Sequence, residues 1–321
     1  MFHVAVPAPV LPIVLEGLEG HCRVSKLWDI ETSGSGPGDW TADVRGLAVG
    51  GHFDADGAFL ARFPRLEIVA NFGVGYNNVD TAWAARNGVI VTNTPDVLND
   101  EVADTAMGLI IATARQLPAA ERHLRAGYWK ARPFPLTASL RGRTVGILGL
   151  GRIGKAIATR AEAFGMAVVY HGRKPQPGVP YLYCPTVMAL AEACDVLVVI
   201  APGGPDTRHL VDAAVLDALG PEGILINVAR GTLVDEAALI DALRSGRILS
   251  AGLDVFENEP HVPQDLIDMD HVVLLPHVGS ASTHTRTAMG QLVVDNLLSW
   301  AAGHGPVTPV VETPWPAAAR T

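Results

Sequence analysis

The sequence predicts an α/β protein with two parallel sheets, and three observations carry that prediction. Short apolar runs alternate with helical patterns from residue 143 to 277, the rhythm of βαβ units whose sheet is covered on both faces. Gly149, Gly151 and Gly154 fall where one such run meets the helix after it. A smaller rhythm of the same kind occupies the stretch before residue 95, and long helical patterns close both rhythms.

Taken in order, FHVAVPAP is a strand followed by a loop, because Pro7, Pro9 and Pro12 interrupt the apolar stretch. That stretch also lacks a basic leader, so it is not read as a signal peptide. RGLAVG, LEIVANFG and GVIVTN are the next strands, and NDEVADTAMGLIIATARQ is a long helix opened by Asn99 with acids in its first turn. RTVGILGL (143–150) is a strand, RIGKAIATRAEAFG (152–165) a helix ending on glycine, and MAVVYH a strand. VMALAEACD, TRHLVDAAVLDALG and VDEAALIDALRSG are helices, alternating with the strands DVLVVIAP, GILINVA, ILSAGLDV and HVVLLPH. TAMGQLVVDNLLSWAAG is a last long helix. A chain that builds one domain, inserts another and returns gives a substrate domain of residues 1–98 and 284–321 around a dinucleotide-binding domain of residues 99–283. Both are Rossmann-like: a doubly wound parallel-sheet cofactor domain inserted into a smaller flavodoxin-like one. GSGPGD (34–39) is a loop, and the proline-rich stretch after 305 is expected to be loosely ordered.

Composition narrows the function. With 49% hydrophobic and 18% charged residues, the 321-residue chain is a globular type. A net charge of −9 argues against a nucleic-acid or anionic-membrane surface, and no apolar run is long enough to span a bilayer. Cys22, Cys184 and Cys194 lack metal-ligand or CxxC spacing, so no metal site is expected; reduced thiols suit a cytoplasmic protein.

The glycine loop implies an anion. Gly149 permits the tight turn, Gly151 lets a pyrophosphate approach the backbone, and Gly154 lets the helix pack close, so that its free N–H groups face the phosphates. An NAD site would normally place an acid at the end of the second strand, yet YHGRK puts Gly172, Arg173 and Lys174 there. Removing the acid and supplying two cations favours the 2′-phosphate of NADP(H).

Polar residues at strand ends are the next candidates, because open α/β sheets bind ligands beyond the carboxyl ends of their strands. Arg230 ends ILINVARG, Glu259 follows ILSAGLDV, and His277 ends VVLLPH. Each alone is compatible with a structural role. Together they supply what reduction of a 2-oxo acid requires: a bidentate carboxylate and carbonyl binder, a proton donor, and a carboxylate that favours the charged imidazole. NFGVGYNNVD (71–80) is either a nest whose Val74 and Gly75 N–H groups bind the substrate carboxylate, or an ordinary tight turn.

GLGRIG, NVARGTLVDEAALIDALRSGRI, AGLDVFENEP and LPHVGSAS, in that order and spacing, resemble the D-isomer-specific 2-hydroxyacid dehydrogenases, and the likeness covers nearly the whole chain. Within that family, the non-acidic YHGRK turn looks most like the NADPH-preferring glyoxylate/hydroxypyruvate and hydroxyphenylpyruvate reductases. The resemblance implies Arg230, Glu259 and His277 as the catalytic set, with Val74 and Gly75 at the substrate carboxylate. At the cofactor it implies Gly149, Leu150, Gly151, Arg152, Ile153 and Gly154 near the pyrophosphate, and Gly172, Arg173 and Lys174 near the 2′-phosphate. Ala201, Pro202 and Thr207 would lie on the adenosine side; Val228, Asp254, Gly279, Ser280 and Thr105 near the nicotinamide. GGHFDADGAF (50–59) corresponds to the loop over the substrate side chain, where His52 and Phe53 either line the pocket or face solvent. Trp129 either reaches a pocket across a dimer interface or fills a core. The expectation is a cytoplasmic homodimer that reduces glyoxylate or hydroxypyruvate with NADPH, two domains closing over the substrate to exclude water. Two rivals remain: an NAD-linked oxidation of the phosphoglycerate type, which wants an acid at position 172, and a non-catalytic dinucleotide sensor resembling corepressors.

Overall fold

The computed structural model describes residues 1–32, 39–51 and 53–316, so most of loop 34–39 and the whole of His52 lie outside the described residues. The chain divides into two compact units: Met1–Leu98 with Thr283–Thr321, and Asn99–Ser282.

The first unit begins β1 (Phe2–Val6), α1 (Pro12–Leu18), β2 (Cys22–Lys26), α2 (Leu27–Thr32), β3 (Gly46–Gly50) and α3 (Gly57–Leu60). It continues with β4 (Ile68–Phe72), α4 (Thr81–Arg86) and β5 (Ile90–Thr92). The second unit comprises α5 (Asn99–Ala114), α6 (Leu117–Arg125), β6 (Thr144–Leu148), α7 (Arg152–Ala163), β7 (Ala167–His171), β8 (Leu182–Tyr183), α8 (Val187–Glu192) and β9 (Val196–Val199). It is completed by α9 (Ala213–Leu219), β10 (Ile224–Asn227), α10 (Glu236–Arg244), β11 (Ser250–Leu253), α11 (Gln264–Ile267) and β12 (Val273–Leu274). Helix α12 (Thr283–Ala301) returns the chain to the first unit.

In the first unit the strands lie in the order β2-β1-β3-β4-β5, every pair parallel. Period-two alternation sorts its side chains to two faces. Leu47, Val49 and Val69 pack with Leu27, Leu60 and Phe63 on one; Ala48, Ile68 and Ala70 pack with Val14, Leu18, Val293 and Leu297 on the other. Two elements differ from the sequence reading. The loop expected after the first strand contains α1, which Pro12 starts rather than breaks, since proline is tolerated where no N–H is needed. Residues 306–313 are not loosely ordered: Val310 N donates to Val91 O at 2.9 Å, Val91 N donates to Thr313 Oγ1 at 2.9 Å, and both Val310 and Thr313 are buried, while residues 317–321 lie outside the described residues.

In the second unit seven parallel strands lie in the order β12-β11-β10-β9-β6-β7-β8. The chain runs outward from β6 in one direction and from β9 in the other, so the order reverses between these neighbours, and a crevice opens at their carboxyl ends. One face packs on α8, α9 and α10 through Leu197, Val199, Leu225, Leu216 and Leu239. The helix expected from 207 to 220 is confined to Ala213–Leu219, because Asp212 caps Val215 N and His209 adopts a left-handed φ of 53°.

Candidate active site

At the β6/β9 crevice the glycine loop has the geometry of an anion cradle. Gly149 has φ 106°, and a Cβ there would lie 2.7 Å from the Ala201 backbone, so only glycine allows the two loops this approach. A Cβ at Gly154 would lie 2.4 Å from Gly149 O, which closes the helix onto the turn. Gly151 differs: a Cβ there would meet nothing within 4 Å. That open space lies at the N-terminus of α7, where Gly151 offers no side-chain cap and the first-turn N–H groups have no intrahelical acceptor. A pyrophosphate fits there, with Arg152, Ile153 and Gly154 presenting their amides.

The turn after β7 is braced from within the same unit. The buried Tyr170 hydroxyl accepts from Gln176 N at 2.8 Å, Gln176 Nε2 donates to Leu150 O at 2.7 Å, and Tyr183 donates to Gly172 O at 3.1 Å. A Cβ at Gly172 would also meet nothing within 4 Å, while Arg173 and Lys174 are exposed and no described residue forms an ion pair with either. On the other side of the crevice Thr207 Oγ1 donates to Pro202 O at 2.9 Å and Gly204 O at 3.1 Å, so its hydroxyl shapes the 201–207 loop.

The polar strand-end residues come together on the same edge. Asn227 closes the turn after β10: Ala229 N donates to its Oδ1 at 3.1 Å and its Nδ2 donates to Arg230 O at 3.0 Å. Arg230 then directs Nη1 onto Ala229 O at 2.7 Å; burial lowers its pKa, opposed by the Glu259 carboxylate. His277 Nδ1 donates to Glu259 Oε2 at 2.7 Å, and Phe256 N donates to Glu259 Oε1 at 3.1 Å. This ties ring nitrogen Nδ1 to the carboxylate and so fixes the orientation of the imidazole.

His277 has φ 53°, an unusual conformation for a residue with a side chain, and buried Asp254 supports it. His277 N donates to Asp254 O at 2.8 Å, and the Asp254 carboxylate accepts from Val278 N at 2.7 Å and Gly279 N at 2.8 Å. Burial raises the Asp254 pKa, and those two N–H bonds pull it back. Thr105 Oγ1 donates to Gly279 O at 3.2 Å. Val228 is buried at the end of β10, and Ser280 is half-buried beside this turn.

Several supporting residues were not read from the sequence. Glu257 accepts from His209 Nε2 at 3.0 Å and from Arg208, while Glu257 N donates to Glu236 Oε1 at 3.1 Å, so the loop bearing Glu259 is clamped at its base. Gly231 explains how that loop lies against Arg230: a Cβ would fall 1.8 Å from Phe256 C. Gly231→Ala is therefore expected to cost about 1–3 kcal/mol of stability from overpacking. In thermal melts it should lower the midpoint, and in kinetics it should lower kcat more than it weakens cofactor binding. An unchanged midpoint and rate would show that the two loops need not touch.

In the first unit the turn after β4 has its carbonyls turned inward. Thr94 N donates to Gly73 O at 2.9 Å, Asn93 Nδ2 to Val74 O at 2.9 Å and Asn71 Nδ2 to Gly75 O at 3.1 Å. No described residue accepts from the N–H groups of Val74 or Gly75, as an anion-binding nest requires. Phe53 does not stand free in solvent: its half-buried ring sits edge-on to Phe59 at 4.8 Å and packs against the core of this unit. Trp129 is 68% exposed, so it does not fill a core. Among the described residues no group of three or more His, Cys, Asp or Glu could hold a metal ion.

An anion cradle at a topological switch point, with a carboxylate-paired imidazole at a neighbouring strand end, defines a dinucleotide-dependent oxidoreductase. Residues 107–279 match the family described as D-isomer specific 2-hydroxyacid dehydrogenase, NAD binding domain. Glyoxylate/hydroxypyruvate reductase A of Arabidopsis thaliana is 50% identical over 268 residues, 84% of this chain and 86% of that protein. Hydroxyphenylpyruvate reductase of Plectranthus scutellarioides is 47% identical over the same shares of the two chains. The crystal structure of an NADPH-dependent glyoxylate/hydroxypyruvate reductase from Sinorhizobium meliloti, in complex with NADP and malonate, superposes with a TM-score of 0.93 at 51% identity, covering 99% of both chains. This chain belongs to the D-isomer specific 2-hydroxyacid dehydrogenases.

Proposed function

We propose that this protein reduces a small 2-oxo acid, glyoxylate or hydroxypyruvate, to the D-2-hydroxy acid with NADPH. The observation that carries the proposal is the 2.7 Å bond between His277 Nδ1 and Glu259, on the strand-end edge that also holds Arg230 and the glycine cradle. The second unit acts as the dinucleotide-binding domain and the first as the substrate domain.

NADPH, when bound, supplies the hydride to C2 of the acid. Arg230 holds the carboxylate and polarises the adjacent carbonyl, a task suited to a planar, charged fork. Glu259 orients the ring through Nδ1, so that His277 Nε2 gives its proton to the carbonyl oxygen as negative charge develops there. The ring ends neutral, and its Nδ1–H stays on Glu259. Val74 and Gly75 add uncharged N–H donors for the carboxylate.

Arg173 and Lys174 support the cofactor preference, since exposed cations that pair with no described residue suit a 2′-phosphate. Arg173→Ala is expected to weaken NADPH about 10-fold or more, the size of one charge-assisted hydrogen bond, and to leave NADH within about twofold. Fluorescence titration with each cofactor measures this, and equal losses would make the stretch a plain basic turn. A panel of 2-oxo acids assayed in parallel with NADPH and NADH tests substrate and cofactor together. Turnover of glyoxylate or hydroxypyruvate with NADPH is expected; preference for NADH and oxidation of a phosphorylated hydroxy acid would overturn the reading.

A homodimer is proposed from the exposed Leu117, Leu124, Tyr128, Trp129 and Leu136 of the second unit, an apolar stretch that suits a second copy of the chain. No described helix is long and apolar enough to cross a membrane. The three unpaired, buried cysteines suit a reducing compartment, and we place the enzyme in the cytoplasm.

A further inference from the structure

The turn that presents Val74 and Gly75 is held from behind by side-chain amides, and those amides also reach a second loop. Asn71 Nδ2 donates to Gly75 O at 3.1 Å, and Asn71 Oδ1 accepts from Asn78 Nδ2 at 3.1 Å. Asn78 Nδ2 also donates to Phe53 O at 2.9 Å and, more weakly, to Gly50 O at 3.4 Å. The backbone reinforces the tie: Ala55 N donates to Asn78 O at 2.7 Å and Asp80 N to Ala55 O at 3.1 Å. Asn71 is 1% exposed, so water does not replace a lost partner, and an unmade bond there carries its full desolvation cost.

We propose that Asn78, acting through Asn71, is a positioning residue that locks the carboxylate-binding turn to the backbone carbonyls of Gly50 and Phe53 and thereby sets which 2-oxo acid side chains the substrate domain accepts. The proposal rests on the reading that the Val74 and Gly75 amides bind the substrate carboxylate. The relay runs in one direction, with each amide donor meeting a carbonyl, so the carbonyl dipoles of the turn point inward. A peptide that rotated would present an oxygen to the carboxylate and repel it. The other end of the relay holds the carbonyls of Gly50 and Phe53, and the Phe53 ring is fixed edge-on to Phe59. One amide pair therefore fixes both the carboxylate-binding turn and the Gly50 and Phe53 carbonyls, which belong to the loop that the family resemblance puts over the substrate side chain. Because hydride and proton transfer belong to groups of the other domain, loss of the relay acts on KM and on acid preference more than on kcat.

Asn78→Ala and Asn71→Asp test the proposal with NADPH saturating. Asn78→Ala is expected to raise KM for glyoxylate about 10-fold, as loss of buried hydrogen bonds to a positioning group would, with kcat within about threefold. It should also shift the ratio of kcat/KM between glyoxylate and the bulkier phenylpyruvate by about fivefold or more, the scale on which a reshaped pocket discriminates. Asn71→Asp keeps the acceptor for Asn78 but replaces the donor facing Gly75 O with an oxygen, so KM should rise while the acid preference moves less. The Kd for NADPH, read by fluorescence, should not change in either variant. Should Asn78→Ala fail to fold, Asn78→Ser is measured in its place. An unchanged acid ratio, or a loss confined to kcat, would overturn the proposal. Oxalate titrated into the wild-type NADPH complex separates this from the reading beneath it. If the Val74 and Gly75 amide resonances do not move, that reading and the proposal both fall; if they move while the acid ratio in Asn78→Ala is unchanged, only the relay is wrong.

Discussion

His277→Gln is expected to lower kcat by about 10²–10⁴-fold, the range that a positioned proton donor contributes, while NADPH binding stays within about twofold. Glutamine retains a side-chain amide that can meet Glu259, so the loop packing is largely kept; what is lost is a group able to release a proton at the carbonyl oxygen. The substitution is made in the turn after β12, whereas the glycine cradle follows β6 and the Arg173–Lys174 turn follows β7, on the other side of the sheet's switch point. Steady-state rates with glyoxylate, alongside fluorescence titration of NADPH, separate the two effects. Near-normal turnover in a folded variant would remove His277 from the chemistry.

Arg230→Gln is expected to lower kcat/KM by about 30- to 5,000-fold, since truncating the protein's half of a hydrogen-bonded charge pair with the substrate carboxylate costs roughly 2–5 kcal/mol. Two losses combine. The substrate carboxylate loses its bidentate partner, and Glu259 loses the neighbouring positive charge. Because the guanidinium is expected to act on both the carboxylate and the carbonyl, KM should rise and kcat should fall together. A rise in KM alone would confine Arg230 to binding. Arg230→Lys keeps the charge without the planar fork and should recover only part of the loss.

The fold and the chemistry were legible in the sequence to different depths. The central strands of both sheets read clearly because parallel sheets covered on both faces leave nearly continuous apolar runs, as in LEIVA and DVLVVI. β2 did not, because CRVSK is an edge strand with one buried residue, and β8 is only two residues long. The late start of the helix within the 207–220 pattern depends on His209, whose left-handed backbone is set by Glu257 and Thr232, contacts that no local pattern encodes. Arg230, Glu259 and His277 were visible because each is a charged or titratable residue at the end of an apolar run. Asp254 was reached only through the family resemblance, as a residue near the nicotinamide, and its carboxylate proves to be occupied by the Val278 and Gly279 amides. The Asn71–Asn78 relay was hidden within NFGVGYNNVD, since its meaning lies in which carbonyls the amides reach, and two of those belong to a loop more than twenty residues away.

The inward carbonyls at residues 73–75 bear on how this enzyme can change over generations. A grip made by side chains can be deleted by a single codon, whereas one made by main-chain N–H groups survives almost any replacement at Val74 except proline. With the proposed grip of Val74 and Gly75 on the acid head made by N–H groups, the side chain at position 74 is free to drift or to be redesigned for acids of other shapes while that grip persists. New substrate ranges can thus arise here without passing through an inactive ancestor.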